Sequence, residues 1–176
     1  MQRYHPVLVA LHWLIALMIL VALLIGGPSL TAMANDDPDK LFGITGHMTF
    51  GLVIGVLMLL RLVTRFRAKS PPEADAGHTV LNLGAKAAHW GLYVLVLAMV
   101  GSGIGIAVSA GLFDIAYFGS GAPLPADFTV FSARVAHGII GTLLLILIAA
   151  HVAGWAYHQF VLRDGLIKRM WFGKRG

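Results

Sequence analysis

The sequence predicts an all-α fold, a transmembrane four-helix bundle with both termini in the cytoplasm. Three observations predict it. The 176 residues are 58% hydrophobic and only 12% charged, too apolar and charge-poor for an ordinary soluble domain. Four apolar stretches each reach the roughly 20 helical residues that cross a hydrocarbon core. The Lys and Arg residues concentrate on alternate connections, as the positive-inside rule requires.

The first predicted span covers residues 7–27 and stops where "GGPSLTAMANDDPDK" brings Pro28, Pro38 and three aspartates. Within that connection "TAMA", residues 31–34, has the small-x-small form of a signal-peptidase site. The apolar run before it exceeds the roughly 7 to 15 residues of a signal-peptide core, so the helix is expected to be retained. The second span, 42–63, ends in "RFRAKSPPEADAGH", a basic run followed by Pro71 and Pro72. The third, 87–108, leads into the glycine- and proline-rich "GLFDIAYFGSGAPLPADF". Its "GSGIGIAVSAG", residues 101–111, lies in an apolar helix and does not read as a nucleotide loop. The fourth span is 131–157. A segment without water must satisfy its backbone internally, so all four are expected to be helices. No connection is long enough for another domain and no internal repeat is present, so residues 1–176 are expected to form one integral membrane domain.

Eleven cations fall on one side: Arg3, Arg61, Arg65, Arg67, Lys69, Lys86, Arg163, Lys168, Arg169, Lys174 and Arg175. Lys40 and Arg134 fall on the other. This asymmetry places both termini in the cytoplasm and accounts for the net charge of +5 without a nucleic-acid partner. The chain has no cysteine, which excludes disulfides, iron–sulfur clusters and thiolate metal sites. No nucleophile triad, phosphate loop or acid pair stands out, and histidine remains as the principal candidate ligand.

The fourth span carries His137 and His151, fourteen residues apart. That spacing returns a side chain to within about 40° of its first direction and about 21 Å along the axis. One helix therefore offers two stacked positions. His47, about five residues into the second span, shares the outer depth of His137, and His12, about five residues into the first, shares the inner depth of His151. Ionisable residues inside a membrane usually face the bundle interior, so a single histidine there reads as a hydrogen-bonded core residue. Two depth-matched pairs point to ligation.

Zinc takes four protein ligands and copper favours further donors, whereas a haem iron needs only two axial imidazoles. The expected cofactors are thus two haem b, one held by His12 with His151 and one by His47 with His137. Gly51, Gly55, Gly138, Gly141 and Gly154 adjoin these histidines and leave room for a flat macrocycle, or else merely pack helices closely. Arg134, one turn before His137, and Arg61, fourteen residues after His47, are candidate partners for the haem carboxylates. Arg61 reads equally well as an ordinary flanking charge. His89 and His158 stand at the inner boundary beside Trp90, Trp155 and Tyr157, either as interfacial anchors or as ligands for a quinone headgroup. His5 and His78 lie in surface segments and receive no role.

These segments together resemble the bacterial cytochrome b561 family: "LHWL" in the first span, "GHMTFG" in the second, "AAHWGLYVL" in the third, "AHGIIG" and "AAHVAGWAYH" in the fourth, then a basic tail. The resemblance covers nearly the whole chain. It implies a small di-haem, quinone-linked membrane protein with the same four axial histidines. It also implies quinone chemistry near the inner haem, where His89 and His158 stand at matching positions. One activity it implies is oxidation of superoxide at the periplasmic face, with electrons passed to ubiquinone. Against that activity, Asp36, Asp37, Asp39, Asp114 and Asp127 outnumber Lys40 and Arg134 on the outer side, and such a balance does not steer an anion. A local positive mouth built from Lys40 and Arg134 would.

The leading expectation is a membrane electron carrier between a periplasmic donor and the quinone pool, an enzyme if the donor is superoxide. The alternative is a haem-carrying membrane anchor for a partner dehydrogenase or hydrogenase. A third reading, a transporter or proton relay built on intramembrane histidines, requires that the protein bind no haem.

Overall fold

The computed structural model describes residues 3–173, which contain helices and connections and no strand. Lys174 and Arg175, counted above with the basic tail, lie outside the described residues. Four helices are long and apolar enough to cross a membrane: Pro6–Ala32, Lys40–Arg67, Thr79–Ser109 and Ser132–Leu162, here the first to fourth spans. Their outer faces are apolar, with Leu17, Ile25, Val56, Val94 and Ile146 each more than half exposed. Such faces are stable only against lipid.

The spans run past the limits expected from the sequence, and each extension has a local cause. Pro28 does not open the first connection but lies inside the first span. Just before it, Ala22–Gly26 widens into a π turn, after which Gly27–Ala32 resumes the α-helix. A π turn absorbs the ladder bond that proline cannot make. Lys40 then closes the helix, its ammonium donating to the carbonyl of Leu30 and, at 2.8 Å, to that of Met33. The residue is buried. Hydrogen bonds from a charged donor contribute about 1.5–3 kcal/mol each, and here they satisfy carbonyls that a helix end leaves open. Lys40 is therefore a structural cap, and its ammonium is not available for the positive mouth with Arg134 that the sequence left open.

The third span starts at Thr79, eight residues before its expected beginning, because polar residues preceding it organise its first turn. Asn82 accepts from the Ala76 N–H at 2.7 Å and donates to Asp75 at 2.8 Å. Hydrogen bonds from Asn82 and from the Gly77 N–H hold the Asp75 carboxyl below its ordinary value of 3.8. This support is complete above that ordinary value and is lost as the pH falls through the lower folded one. His78 is the N-cap residue of the same helix, and His5 caps the first span, its Nδ1 accepting from the Val7 N–H at 3.3 Å.

The first span packs on the second, the second on the third and, most extensively, the third on the fourth. The first and fourth do not pack closely, and a cleft of about 570 Å³ opens between them, lined by Leu23, Pro28 and Thr31 on one side and Gly138, Gly141 and Thr142 on the other. Ile15, Ile54, Met58, Val96 and Leu144 form the central core. A second core joins Ile44 and Ile106 to Leu112 and Ile115 of a short helix, Leu112–Tyr117, in the third connection. The Tyr117 hydroxyl shares a 2.9 Å hydrogen bond with Thr49, two residues from His47, and so holds this connection against the second span.

Both ends of the described chain meet at one end of the bundle. The Tyr4 N–H donates to the Arg169 carbonyl at 3.0 Å, and the Trp13 indole to that of Met170 at 2.8 Å.

Candidate functional site

The four spans bring the expected histidines together in two places. His12 of the first span faces His151 of the fourth with ring centroids 6.4 Å apart and planes crossed at 74°. His47 of the second faces His137 of the fourth at 6.1 Å and 73°. The pairs occupy different depths, as the fourteen residues between His137 and His151 demand. Two imidazoles bonded to one metal at about 2 Å, each ring centre about 1.1 Å behind its nitrogen, have centroids about 6.3 Å apart. Both separations fit a shared iron.

The third span supports each pair. At the level far from the termini, Ser102 holds a 2.9 Å hydrogen bond to His137 Nδ1 and another, also 2.9 Å, to the Met99 carbonyl. A serine hydroxyl carries one hydrogen. Since it donates to the carbonyl, it accepts from His137, which fixes the Nδ1–H tautomer and leaves Nε2 free for a ligand bond. A side chain on Gly103 would meet the His137 ring at 3.4 Å, so glycine there lets the ring lie against the third span. At the other level His89 lies beside His151, ring centroids 5.2 Å apart.

Residues 3–173 match the family described as prokaryotic cytochrome b561. This chain belongs to that family. It is 26% identical over 180 residues to the probable superoxide oxidase CybB of Yersinia pestis, covering 99% of each chain. It is 24% identical over 181 residues to cytochrome b561 homolog 2 of Escherichia coli (strain K12), covering 96% of this chain and 91% of that one. With its four membrane-spanning helices, this cytochrome b561-family protein is a bacterial membrane haem protein of electron transfer.

The remaining expected residues of this cytochrome divide into three groups. Arg134 reaches along its own helix toward Gly138, and its guanidinium has no hydrogen-bond or ion-pair partner among the described residues, which leaves it available to a carboxylate. Arg61 is already engaged, donating to the Leu8 carbonyl at 2.6 Å and lying 5.9 Å from the Tyr93 ring centre. It braces the turn that carries His12. His158 is buried and bonded through Nδ1 to Asp164 at 2.6 Å, so it is no exposed interfacial anchor.

The glycines also divide. A side chain on Gly51 or Gly154 would meet nothing within 4 Å, which is open space beside the histidines. One on Gly55 would reach Val100 at 3.0 Å and one on Gly141 would reach Met99 at 3.2 Å, so these two serve helix packing. Gly26, in the π turn, comes within 3.8 Å of His47 Nδ1 by the same measure. Trp155, one turn beyond His151, has a buried indole N–H with no partner among the described residues. Such a donor suits a haem carboxylate. The sequence gives Ser102 and Gly103 no role and reads Trp155 only as an aromatic residue of the inner boundary. A hydroxyl or indole in an apolar helix is common, and only its neighbour on another helix gives it a role.

Proposed function

We propose that this protein carries electrons across the membrane between a donor at the end remote from its termini and quinone at the termini-bearing end, using two haem b. His12 with His151 would hold one and His47 with His137 the other, and the observation that carries this reading is the pair of centroid separations, 6.4 and 6.1 Å. When bound, each haem would supply a one-electron ferric–ferrous couple. The chain's own part is to fix those imidazoles, set their basicity and keep water away. Ser102 does the first two for His137. Arg134 and the Trp155 N–H are the donors offered to haem carboxylates, while Arg61 acts by bracing the first span. The positive-inside count supports a cytoplasmic position for the termini and the quinone.

The name of the Yersinia relative makes superoxide the donor to test first. The acidic outer connections and the inward-turned Lys40 leave Arg134, beside His137, as the cation that would draw it in. Purified protein should bind two haems per chain by pyridine haemochrome assay, show a b-type reduced-minus-oxidised spectrum, and reduce quinone faster with a superoxide source than without. A single haem per chain would remove the two-level arrangement; equal rates would remove superoxide as donor.

Ser102→Ala is expected to keep the haem content under saturating haem but to raise the potential of the haem at His137, because the ring loses the acceptor that makes it more basic. Loss of such supporting bonds typically costs about 10- to 100-fold in affinity. Redox titration and haem retention on dilution measure the two effects. An unchanged titration curve would mean that Ser102 does not tune the site.

A further inference from the structure

We propose that the turn following the fourth span binds the headgroup of an anionic phospholipid of the phosphatidylglycerol type, its phosphate held by Arg163 and Lys168 and a glycerol hydroxyl given to Gln159. The site lies beyond both histidine pairs and uses none of their residues.

A cavity of about 410 Å³ opens at this turn, lined by Gln159, Phe160, Arg163, Gly165, Ile167 and Lys168. It is shaped by the irregular end of the fourth span: a π turn, Tyr157–Leu162, then left-handed backbone at Arg163 and Gly165. Arg163, at φ 53°, is the one non-glycine residue with positive φ among the described residues. Left-handed backbone is costly for a long side chain, and such strain is retained where the side chain has a task. Gly165 lets Lys168 fold back over the turn, since a Cβ there would lie 3.6 Å from Lys168 Cδ and 4.0 Å from Nζ.

The lining fits one kind of occupant. The Lys168 ammonium has no hydrogen-bond or ion-pair partner among the described residues, and Arg163 engages only Nε, donating to the Phe160 carbonyl at 3.4 Å. No carboxylate lines the cavity. Asp164 is held elsewhere, bonded to His158 Nδ1 at 2.6 Å and accepting from the Leu166 N–H at 2.9 Å. Two cations without a counter-charge suit a phosphate. Gln159 Oε1 is buried with no partner among the described residues, and a buried acceptor calls for a donor. A phosphate diester offers only acceptors, whereas the free glycerol of phosphatidylglycerol adds hydroxyl donors. Phe160 and Val161, 66% and 64% exposed, present apolar surface beside the cavity for acyl chains, which a free phosphate would leave uncovered.

The bound lipid braces the terminal turn. Lys168 stands in the short 3-10 helix Leu166–Met170, whose Arg169 and Met170 carbonyls accept from the Tyr4 N–H and the Trp13 indole. Arg169 in turn donates to the Pro72 carbonyl at 2.6 Å. Holding this turn therefore ties the end of the fourth span to the start of the first.

The test is native mass spectrometry of the haem-loaded full-length protein in detergent, titrated with phosphatidylglycerol, phosphatidylcholine or phosphatidylmethanol, the last having the same charge as the first and no free hydroxyl. Each cation near a membrane surface favours anionic lipid by about fivefold, so wild type should bind phosphatidylglycerol about thirtyfold more tightly than phosphatidylcholine. Arg163→Asn with Lys168→Gln should abolish that preference; asparagine tolerates the left-handed backbone. Arg67→Gln with Lys69→Gln, exposed cations outside the cavity, should keep it. Gln159→Leu should still prefer phosphatidylglycerol to phosphatidylcholine but no longer to phosphatidylmethanol. Unchanged haem content shows that each variant is folded. Equal binding of phosphatidylglycerol and phosphatidylcholine by wild type would overturn the proposal whatever the variants do, as would equal losses in the two double variants, the mark of a diffuse basic surface. Undiminished discrimination against phosphatidylmethanol in Gln159→Leu would overturn the hydroxyl contact.

Discussion

His137→Ala is expected to lower the haem content from two per chain to one while leaving the protein folded and inserted. The reason is the separation of the two levels. His137 meets His47, Ser102 and Gly103 at the far end of the bundle, whereas His12, His89 and His151 gather near the termini. In the proposed ligation this substitution would leave His47 without its partner imidazole, but it does not touch the central core of Ile15, Ile54, Val96 and Leu144. The remaining haem should keep its b-type spectrum and should still be oxidised by quinone. Reduction by the donor at the far end should be lost, because the carrier on that side is gone. A haem count of two after this substitution would take His137 out of the ligand set.

The complementary result is expected for His12→Ala. One haem should again be lost, this time the one beside His89 and His151, and the functional consequence should be reversed. The donor should still reduce the haem of His47 and His137, yet quinone reduction should fall to background, since the remaining level lies about 21 Å farther along the helix axis. Stopped-flow reduction by the donor and stopped-flow reoxidation of dithionite-reduced haem by quinone separate the two halves. If both variants lost both activities equally, the pairs would not be serial and the two-ended arrangement would be wrong.

Much of this site was readable before any coordinates. A fourteen-residue spacing on one helix sets direction and depth at once, because both follow from helical geometry alone. Counting residues inward from each charged flank then matched His47 to His137 and His12 to His151, and the structure brings those rings together. The features that escaped are those that depend on a neighbour or on irregular backbone. Lys40 reads as a loop cation until Leu30 and Met33 present their carbonyls to it. Pro28 reads as a helix breaker until a π turn absorbs it. His158 reads as an interfacial anchor until the left-handed residues after it return Asp164 to its side.

The sequence by itself determined the number of crossings and the fourteen-residue separation of His137 and His151, because hydropathy and the 3.6-residue period act along a single chain segment. Only the tertiary structure decided which rings stand about 6 Å apart, that Ser102 fixes the tautomer of His137, that Arg61 braces the first span and that the His158–Asp164 pair exists. Those outcomes depend on how each helix is rotated and how closely it approaches the next. Rotation and approach are set by side-chain packing between helices, such as Val100 against Gly55 and Met99 against Gly141, and no periodicity within one helix encodes them.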